Sequence, residues 1–583
     1  MISRMKVAIA ALTLALLQGC AANSVPASVQ PMAALASYDL LIRNGTIYDG
    51  SGALPYEGDI GIRGDRIVYA GPSIPANARQ VVDARGLAVT PGFINMLSWA
   101  NESLLVDGLG QSDLRQGITL EVMGEGWSMG PLNDRMKALS VAQQGDFKYP
   151  IEWTTLGEYL SLLERRGTTM NVASFVGATT IRQHELGDTD VDPTPEQLRR
   201  MRTLVRQAME EGALGVGTSL IYPPAIFAET DELVALTTEA ARCGGSYISH
   251  MRSEGDRLLE SIDELIEISR RSGAPAEIYH LKQVGRSNWG KLDAVIAKVE
   301  AARASGLKIT ANMYLYTAGG TGLAASMPPW VQDGGNAAML KRLEDPAIVA
   351  RIKREMLKPG SNWENLYLHA GPGGVLLSTL VEPSLKPLTG KTVAEVATMR
   401  GISPEQAVIE LVVADKGRAG AIYFLMDEQN VRREAAIPWV SFGSDAEASA
   451  PEGVFLKSST HPRAYGNFAR FLGKYVRDEK VVPFAEGIRR LTSLPASNLG
   501  LRDRGILKSG MVADVVLLDP AAIADHSTFA KPMQFATGVH HVFVNGAQVL
   551  KDGQPTGAKP GRFVKGAGWK GWPNGGACHP GGI

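Results

Sequence analysis

The sequence predicts an α/β protein in which a (β/α)8 TIM barrel lies beside a small β-sandwich formed by both ends of the chain. Three observations lead to this fold class. The chain has 583 residues, more than one compact domain usually holds. Both ends are rich in short β-branched runs separated by turns. The middle alternates apolar strands with amphipathic helices, and about eight such units indicate a barrel.

The β-sandwich is predicted over residues 38–90 and 496–565. Near the amino terminus, β-branched runs are separated by Asn-Gly, Gly-Asp and Arg-Gly turns up to residue 92. Similar β-branched runs occur again over residues 509–520 and 539–553. Short runs divided by such turns are typical of strands. We therefore expect the two ends to form one composite β domain.

The barrel is predicted over residues 91–495. One helix is indicated by apolar residues at helical spacing from Leu258 to Ile268, with Gly273 as its stop signal. Residues 320–400 interrupt the alternation of strands and helices and are predicted to be an insertion. The buried strands are expected in the segments ITLEVMG, NVASFVG, ALGVGTS, SYISH, AEIYH, LKITANMY, LYLHA and WVSFGSD.

The charge balance excludes two classes of partner. Lys and Arg together number 59 and Asp and Glu together number 60, so the formal net charge is −1. A chain this neutral lacks the electrostatic basis for binding nucleic acid or a membrane surface through basic residues. Its 45% hydrophobic content also excludes intrinsic disorder for most of the chain.

Residues 1–20 are interpreted as a bacterial lipoprotein signal peptide. Two basic residues precede the apolar run Val7–Leu17, which is too short to span a membrane, and Leu-Gln-Gly-Cys resembles a lipobox ending at Cys20. The alternative is a plain signal peptide with an incidental cysteine. Residues 21–37 are expected to be a linker, and Ala21 favours the outer membrane. The prediction is an exported, periplasm-facing lipoprotein that touches the membrane only through its lipid anchor.

The other two cysteines, Cys243 and Cys578, show no spacing typical of a disulfide framework or a metal site. Residues 566–583 are Gly-rich and are predicted to be a flexible tail.

Several long motifs resemble the amidohydrolase superfamily and, within it, the N-acyl-D-amino-acid deacylases. The resemblance extends from about Tyr38 to Val564. Its strongest pieces are TPGFIN, ALGVGTSLIYPP, ISHMRSEGD, IYHLKQVGRSNWGK, YLYTAGGTG, FGSDAE and HPRAYGNFARFLGKY, followed by a closing β segment. The resemblance implies a hydrolase of linear amide bonds with a TIM-barrel site at the carboxyl ends of the strands.

Amide hydrolysis at neutral pH needs an activated water, a polarised carbonyl and a proton shuttle, and a divalent metal supplies the first two. His250 and His280 each end a predicted strand about one βα unit apart, and both are predicted metal ligands. Asp445 ends a later strand. The resemblance implies that it is the general acid/base for attack by a metal-bound water. The alternative is that Asp445 caps a following helix.

The chain departs from the family in its metal ligands. The resemblance implies a His-x-His pair and a cysteine, but those positions hold Leu97, Trp99 and Gly126. Glu125 ends the neighbouring strand and could replace the thiolate with a carboxylate. Together with His250 and His280, it would form a site for one divalent ion, zinc. The alternative is that Glu125 is a loop carboxylate beside a degenerate site.

Substrate-binding residues transfer from the family more directly. Lys282, Tyr314 and Arg463 match the positions that hold the free carboxylate of an N-acyl amino acid, and Arg suits a carboxylate because its planar fork donates two hydrogen bonds. Tyr222 is expected to line the pocket. One polar family position is Gly320 here.

The resulting hypothesis is a metal-dependent hydrolase of N-acyl-D-amino acids, or of similar N-acyl amino acids or dipeptides. Dipeptides remain open because Trp99 and Trp127 would reshape a pocket wall. A non-catalytic lipoprotein that only binds ligand is the alternative from another class. The remaining histidines considered are expected to be structural, namely His184, His369, His540 and His541.

Overall fold

The computed structural model describes residues 36–359 and 363–578. The predicted signal peptide, Cys20 and nearly all of the predicted linker lie outside these residues. Within them, every helix falls short of the length or the apolar character that a membrane crossing requires.

Strands occur at both ends of the described chain and at regular intervals between them. In chain order they are β1 (Ala36–Ile47), β2 (Tyr56–Arg63), β3 (Arg66–Gly71), β4 (Ala76–Asp83), β5 (Ala88–Pro91), β6 (Phe93–Asn95), β7 (Ile118–Met123), β8 (Asn171–Ser174), β9 (Val176–Gly177), β10 (Gly215–Ser219), β11 (Ser246–His250), β12 (Ala276–Ile278), β13 (Ile309–Met313), β14 (Ala318–Gly322), β15 (Val375–Thr379), β16 (Gly420–Phe424), β17 (Val440–Phe442), β18 (Val515–Leu518), β19 (Val539–Val544), β20 (Ala547–Lys551) and β21 (Gln554–Pro555).

The α-helices lie between the barrel strands, within the insertion and after the last barrel strand. They are α1 (Ser103–Val106), α2 (Gln111–Leu114), α3 (Asp134–Gln143), α4 (Leu156–Arg166), α5 (Ala178–Leu186), α6 (Pro195–Glu211), α7 (Thr230–Arg242), α8 (Leu258–Ser272), α9 (Leu292–Ala304), α10 (Gly335–Arg342), α11 (Pro346–Met356), α12 (Leu366–Ala370), α13 (Val393–Arg400), α14 (Pro404–Ala414), α15 (Glu428–Glu434), α16 (Arg463–Arg470), α17 (Phe484–Leu491) and α18 (Ser493–Asn498).

Both ends of the described chain meet in one β domain. The strand order is β21-β20-β19-β18-β5-β1-β2-β3, and β4 pairs with β1. The two ends join where β18 runs antiparallel to β5, with Val516 opposite Thr90. Buried side chains from both ends, including Ile42, Ile62, Val515 and Phe543, share one apolar core. The predicted composite β domain is confirmed, although its hydrogen bonds form one continuous sheet of nine strands.

Within the described ranges, eight parallel strands form the barrel: β6, β7, β8 with its continuation β9, β10, β11, β12, β13 and β17. The barrel closes between its last and first strands, because the Met96 amide donates to the Phe442 carbonyl at 3.1 Å. A parallel bridge between Ser98 and Ala446 extends the closure. The (β/α)8 prediction is therefore confirmed.

Helix α8 forms where the apolar spacing predicts it. Its buried face contains Leu258, Ile262 and Leu265, and Gly273 caps it in the left-handed conformation at φ 75°. The strand predicted at LYLHA is wrong, since these residues form helix α12, in which the Asn365 side chain accepts from the Leu368 amide. The cap satisfies a backbone N–H at the start of the helix. A pattern of apolar residues does not reveal this contribution.

The insertion separates β13 from β17 and is longer than the predicted 320–400. Its antiparallel sheet has the order β14-β16-β15, so its central strand, Gly420–Phe424, lies beyond the predicted end. Helices α10 to α14 pack around this sheet and share a second apolar core with it. This core also includes Val284 and Tyr314, which lie after the barrel strands β12 and β13.

The predicted flexible tail is wrong for residues 566–578. The Gly566 amide donates to the Gly212 carbonyl at the end of α6, and the Lys570 amide donates to the Glu210 carbonyl. Cys578 forms a disulfide with Cys243, 335 residues earlier. A pairing over this separation leaves no local spacing signal, which is why the cysteine pattern did not predict it. Residues 579–583 lie outside the described residues.

Candidate metal centre and substrate cavity

The chemistry-bearing residues emerge from the carboxyl ends of separate barrel strands. His250 is the last residue of β11, and Tyr314 follows β13 directly. Glu125, His280 and Asp445 each lie two or three residues beyond the end of a strand. Because parallel barrel strands open at one mouth, these side chains converge there.

All eight residues predicted for catalysis, metal binding and substrate binding line one cavity of about 460 Å³. They are Glu125, Tyr222, His250, His280, Lys282, Tyr314, Asp445 and Arg463. The four histidines expected to be structural do not line it. The structure thus brings the predicted site together, while the role of each residue stays a prediction.

Glu125 occupies a loop whose shape depends on its two neighbouring glycines. Gly124 has φ 104° and Gly126 has φ 71°, a region that favours glycine. A Cβ at position 126 would come within 1.9 Å of the Ser219 hydroxyl, so the position where the family has cysteine has no room for a side chain. The loop therefore turns Glu125 into the cavity.

The Glu125 carboxylate joins both histidines. Its Oε1 lies 3.0 Å from His250 Nδ1 and 2.8 Å from His280 Nε2. All three side chains are buried, and one ligand atom from each lies within 4.8 Å of the others. His280 is held at φ 35° by its amide, which donates to Asn312 Oδ1 at 2.9 Å. Such a strained backbone is common at functional sites.

A second carboxylate, Glu254, lies beside both histidines and Lys282. It lies 2.7 Å from Lys282 Nζ and 3.0 Å from His280 Nδ1, and its other oxygen is 3.5 Å from His250 Nε2. Sequence reasoning missed Glu254. The available signal was its position four residues after His250 within the same motif.

Asp445 projects into the cavity from the opposite side. Its backbone has φ 50°, and its amide donates to the Leu97 carbonyl at 2.8 Å. Its Oδ2 lies 2.8 Å from a guanidinium nitrogen of Arg463, and its Oδ1 accepts from the Trp99 indole at 3.1 Å. The described chain has no helix directly after Asp445, so the capping alternative is wrong.

Arg463 and Tyr314 form the wall beside Asp445. The Arg463 guanidinium lies over the Tyr314 ring, 4.5 Å from its centroid. His461, which sequence reasoning did not single out, accepts from the Arg463 amide at 3.0 Å and bonds to the Ala318 carbonyl through its other nitrogen. The signal for it was its place two residues before Arg463 in the HPR motif.

Burial and mutual charge shift the titration of the site. Burial opposes ionisation of Glu125, but His280 and His250 outweigh it and lower the pKa of Glu125. Burial likewise opposes ionisation of Glu254, yet Lys282 and the histidines lower its pKa. Burial and Lys282 disfavour the charged imidazole of His280, but Glu254 and Glu125 raise its pKa to about 9.

Burial raises the pKa of Asp445, and nearby Glu125 raises it further, while Arg463 acts in the opposite direction. A carboxyl group whose charged form is disfavoured in this way holds a proton more readily than an exposed one. This is a property that a proton shuttle needs.

The donor set fits a divalent cation. The cavity contains three carboxylates, Glu125, Glu254 and Asp445, against the two fixed cations Lys282 and Arg463. His250 Nε2 is buried and makes no hydrogen bond to any described residue. One carboxylate and two imidazoles are a common zinc donor set. A bound divalent ion would replace the proton that raises the charge of His280, and the three carboxylates would then face the ion and the two fixed cations.

The chain is similar in sequence to amidohydrolases. An amidohydrolase family model matches residues 379–550. A D-aminoacylase from Alcaligenes xylosoxydans xylosoxydans is 33% identical over 531 residues, which is 90% of this chain and 97% of that protein.

Two solved structures are also similar. A D-aminoacylase with a binuclear metal centre, described by one-metal activation and second-metal attenuation, superposes with a TM-score of 0.75 at 31% identity and covers 91% of this chain and 100% of its own. The N-acyl-D-glutamate deacylase from Bordetella bronchiseptica, complexed with zinc and a phosphonate inhibitor, has a TM-score of 0.74 at 28% identity, with the same coverage.

Proposed function

The chain belongs to the N-acyl-D-amino-acid deacylase family of the amidohydrolases, and from this premise we propose that it hydrolyses the amide bond of N-acyl-D-amino acids with one zinc ion. The observation that carries the proposal is the convergence of Glu125, His250 and His280 in a cavity that also contains Asp445 and Arg463. Glu125 takes the role of the absent cysteine.

Glu125, His250 and His280 would hold the metal. A divalent ion at this position would supply activation of water and polarisation of the substrate carbonyl. Asp445 accepts the proton of the attacking water and returns it to the leaving nitrogen, since it faces the cavity and its environment disfavours the charged form.

Lys282, Arg463 and Tyr314 bind the free carboxylate of the substrate. Arg463 uses one nitrogen for Asp445, and its Nε makes no hydrogen bond to any described residue. Lys282 has three donors, of which Glu254 takes one and His280 Nδ1, at 2.6 Å from Nζ, takes a second, which leaves one. Both cations therefore retain donors for an anionic substrate.

The side chain of the amino acid would be apolar. The cavity wall includes the apolar side chain of Val284 together with Leu366, Tyr423 and Leu425 from the insertion. Lys282 and Arg463 are the two cations that line the cavity, and both are assigned to the free carboxylate common to these substrates, so neither is left for a second substrate carboxylate. This arrangement favours D-amino acids such as leucine or phenylalanine over aspartate or glutamate.

A substrate panel tests this proposal. We expect the zinc-loaded protein to release acetate from N-acetyl-D-leucine, with kcat/KM about 100-fold above that for N-acetyl-D-glutamate, because a buried unpaired carboxylate costs several kcal/mol. The L-enantiomers and a set of dipeptides are the comparison compounds. Preference for the L-enantiomer or for D-glutamate would contradict the proposal. Binding of N-acyl amino acids without cleavage would instead support a non-catalytic role.

Export as a lipoprotein is a further part of this proposal. The disulfide between Cys243 and Cys578 supports it, since disulfides persist in oxidising compartments such as the periplasm. We expect a Cys20→Ser variant to lose acylation and processing, as measured by mass spectrometry of the membrane fraction. A mature, membrane-bound variant would contradict the anchor.

A further inference from the structure

Trp99 occupies a position between the two carboxylates that the proposed reaction uses. Its indole Nε1 donates to Glu125 Oε2 at 2.8 Å and to Asp445 Oδ1 at 3.1 Å. One N–H therefore links the proposed metal ligand to the proposed general acid/base. Two carboxylates directed at one point are the arrangement expected around a bridging cation.

The backbone around Trp99 fixes this arrangement. The Ser98 amide donates to the Val122 carbonyl at 2.8 Å, and the Trp99 amide donates to the Ala446 carbonyl at 2.9 Å. The chain after β6 is thus bonded both to β7, which precedes Glu125, and to the segment that contains Asp445. The indole is held by the same strand ends as the two carboxylates that it joins.

The indole cannot bind a metal ion. Its nitrogen is a donor only, because the lone pair belongs to the aromatic system. The neighbouring Leu97 is fully buried in an apolar cluster and offers no ligand atom. The position between Glu125 and Asp445 is therefore filled by a neutral N–H.

We infer that Trp99 is a positioning residue that replaces a second, bridging metal ion and restricts the enzyme to one metal. It orients Glu125 toward the histidines and holds Asp445 in the cavity. This inference rests on the proposed metal site. On this inference, the indole N–H of Trp99 compensates for the missing His-x-His pair, and the site has not degenerated.

Zinc titration of the purified protein after removal of metal tests the inference. We expect the wild type to bind one ion per chain at saturation. Trp99→Phe keeps an aromatic ring but removes the N–H, so the Kd for zinc should rise about 10- to 100-fold, the range for loss of an outer hydrogen-bond partner of a ligand. The kcat should fall more than KM changes, because Trp99→Phe keeps an aromatic ring in the cavity wall and removes only the N–H.

Two further variants sharpen the test. Trp127→Phe is the matched control, since Trp127 lines the same cavity and its indole has no hydrogen-bond acceptor among the described residues. Its Kd for zinc should stay at the wild-type value. Trp99→His restores a nitrogen ligand, and we expect it to bind two ions per chain. The absorption spectrum of the cobalt-loaded protein should change in Trp99→Phe but not in Trp127→Phe.

Two ions per wild-type chain would overturn the inference, as would a Trp99→Phe variant with the wild-type Kd and cobalt spectrum. If Trp99→Phe does not fold, Trp99→His decides, and a stoichiometry that stays at one contradicts the inference. A folded wild type that binds no zinc would refute the proposed function itself. An active one-zinc wild type that is indifferent to Trp99→Phe refutes only the role of Trp99.

Discussion

Asp445 lies between a fixed cation and a neutral donor. Arg463 pairs with one carboxylate oxygen and Trp99 donates to the other. The left-handed backbone at Asp445, together with its amide bond to Leu97, directs the side chain into the cavity. These three contacts orient the carboxyl group of Asp445. A substitution that keeps its shape can therefore test its proton transfer separately.

Replacing Asp445 with asparagine isolates the proton transfer. We expect Asp445→Asn to keep its zinc, because Asn retains an oxygen that can accept from Trp99, while kcat falls by about 100-fold or more through loss of a general acid/base. Elemental analysis and steady-state kinetics measure the two effects. A variant with wild-type kcat would remove Asp445 from the reaction.

Glu125 is tested by a change that keeps size and removes charge. We expect Glu125→Gln to lose most of its bound zinc, because a neutral amide oxygen is a weaker ligand than a carboxylate. Glu447→Gln is the control, since Glu447 lines an adjacent cavity and contacts neither His250 nor His280. If Glu125→Gln retains wild-type zinc and rate, Glu125 is a loop carboxylate and not a ligand.

At the scale of elements, the carboxyl-terminal segment 566–578 is attached to the barrel helices by a disulfide. Cys243 follows α7 directly, and the segment also bonds to the end of α6. Neither cysteine lines the substrate cavity. Stability and activity should therefore separate at this position.

We expect Cys243→Ser to lower the free energy of unfolding by about 2–4 kcal/mol, because a cross-link reduces the entropy of the unfolded chain. The kcat should stay unchanged. Urea unfolding with and without a reductant measures the effect, and reductant should destabilise the wild type but not the variant. If the wild type and Cys243→Ser unfold at the same urea concentration in the absence of reductant, the disulfide does not stabilise the protein.

The insertion is a second element with a role at the site. Strands β14 and β16 supply Gly320 and Tyr423 to the cavity wall, and the insertion core supports them from behind. The insertion therefore shapes part of the cavity wall, whereas the barrel strands position the residues proposed for the reaction.

At the scale of the whole molecule, the two chain ends depend on each other. Strand β18 lies between β5 and β19, so it has hydrogen-bonded neighbours on both sides. Val515, Leu517 and Phe543 contribute to the core shared with the amino-terminal strands. The β domain therefore needs both ends of the chain.

A truncated chain tests this dependence. We expect a protein ending at residue 538 to be insoluble, because loss of β19 to β21 leaves β18 as an unprotected edge and removes Phe543 from the core. A protein ending at residue 578 is the control. Soluble yield and circular dichroism measure the outcome, and a soluble, folded shorter chain would show that the carboxyl-terminal strands are dispensable.

Local patterns were enough to predict the barrel and the composite β domain, and the resemblance to the family supplied most of the eight side chains that line one cavity. Apolar periodicity and turn residues are properties of neighbouring positions, so they can be read directly from the chain. The strand pattern placed His250, His280 and Asp445 at strand ends, and a parallel barrel brings such ends together. The family motifs supplied the roles predicted for them.

Only the tertiary structure decided which distant groups meet. The Trp99 indole bonds to Asp445 across 346 positions, and Cys243 bonds to Cys578 across 335. Helix α12 replaced a predicted strand for a similar reason, since its apolar residues pack into the core of the insertion. Local propensities differ by about 1 kcal/mol or less per residue, and packing between distant segments overrides differences of that size.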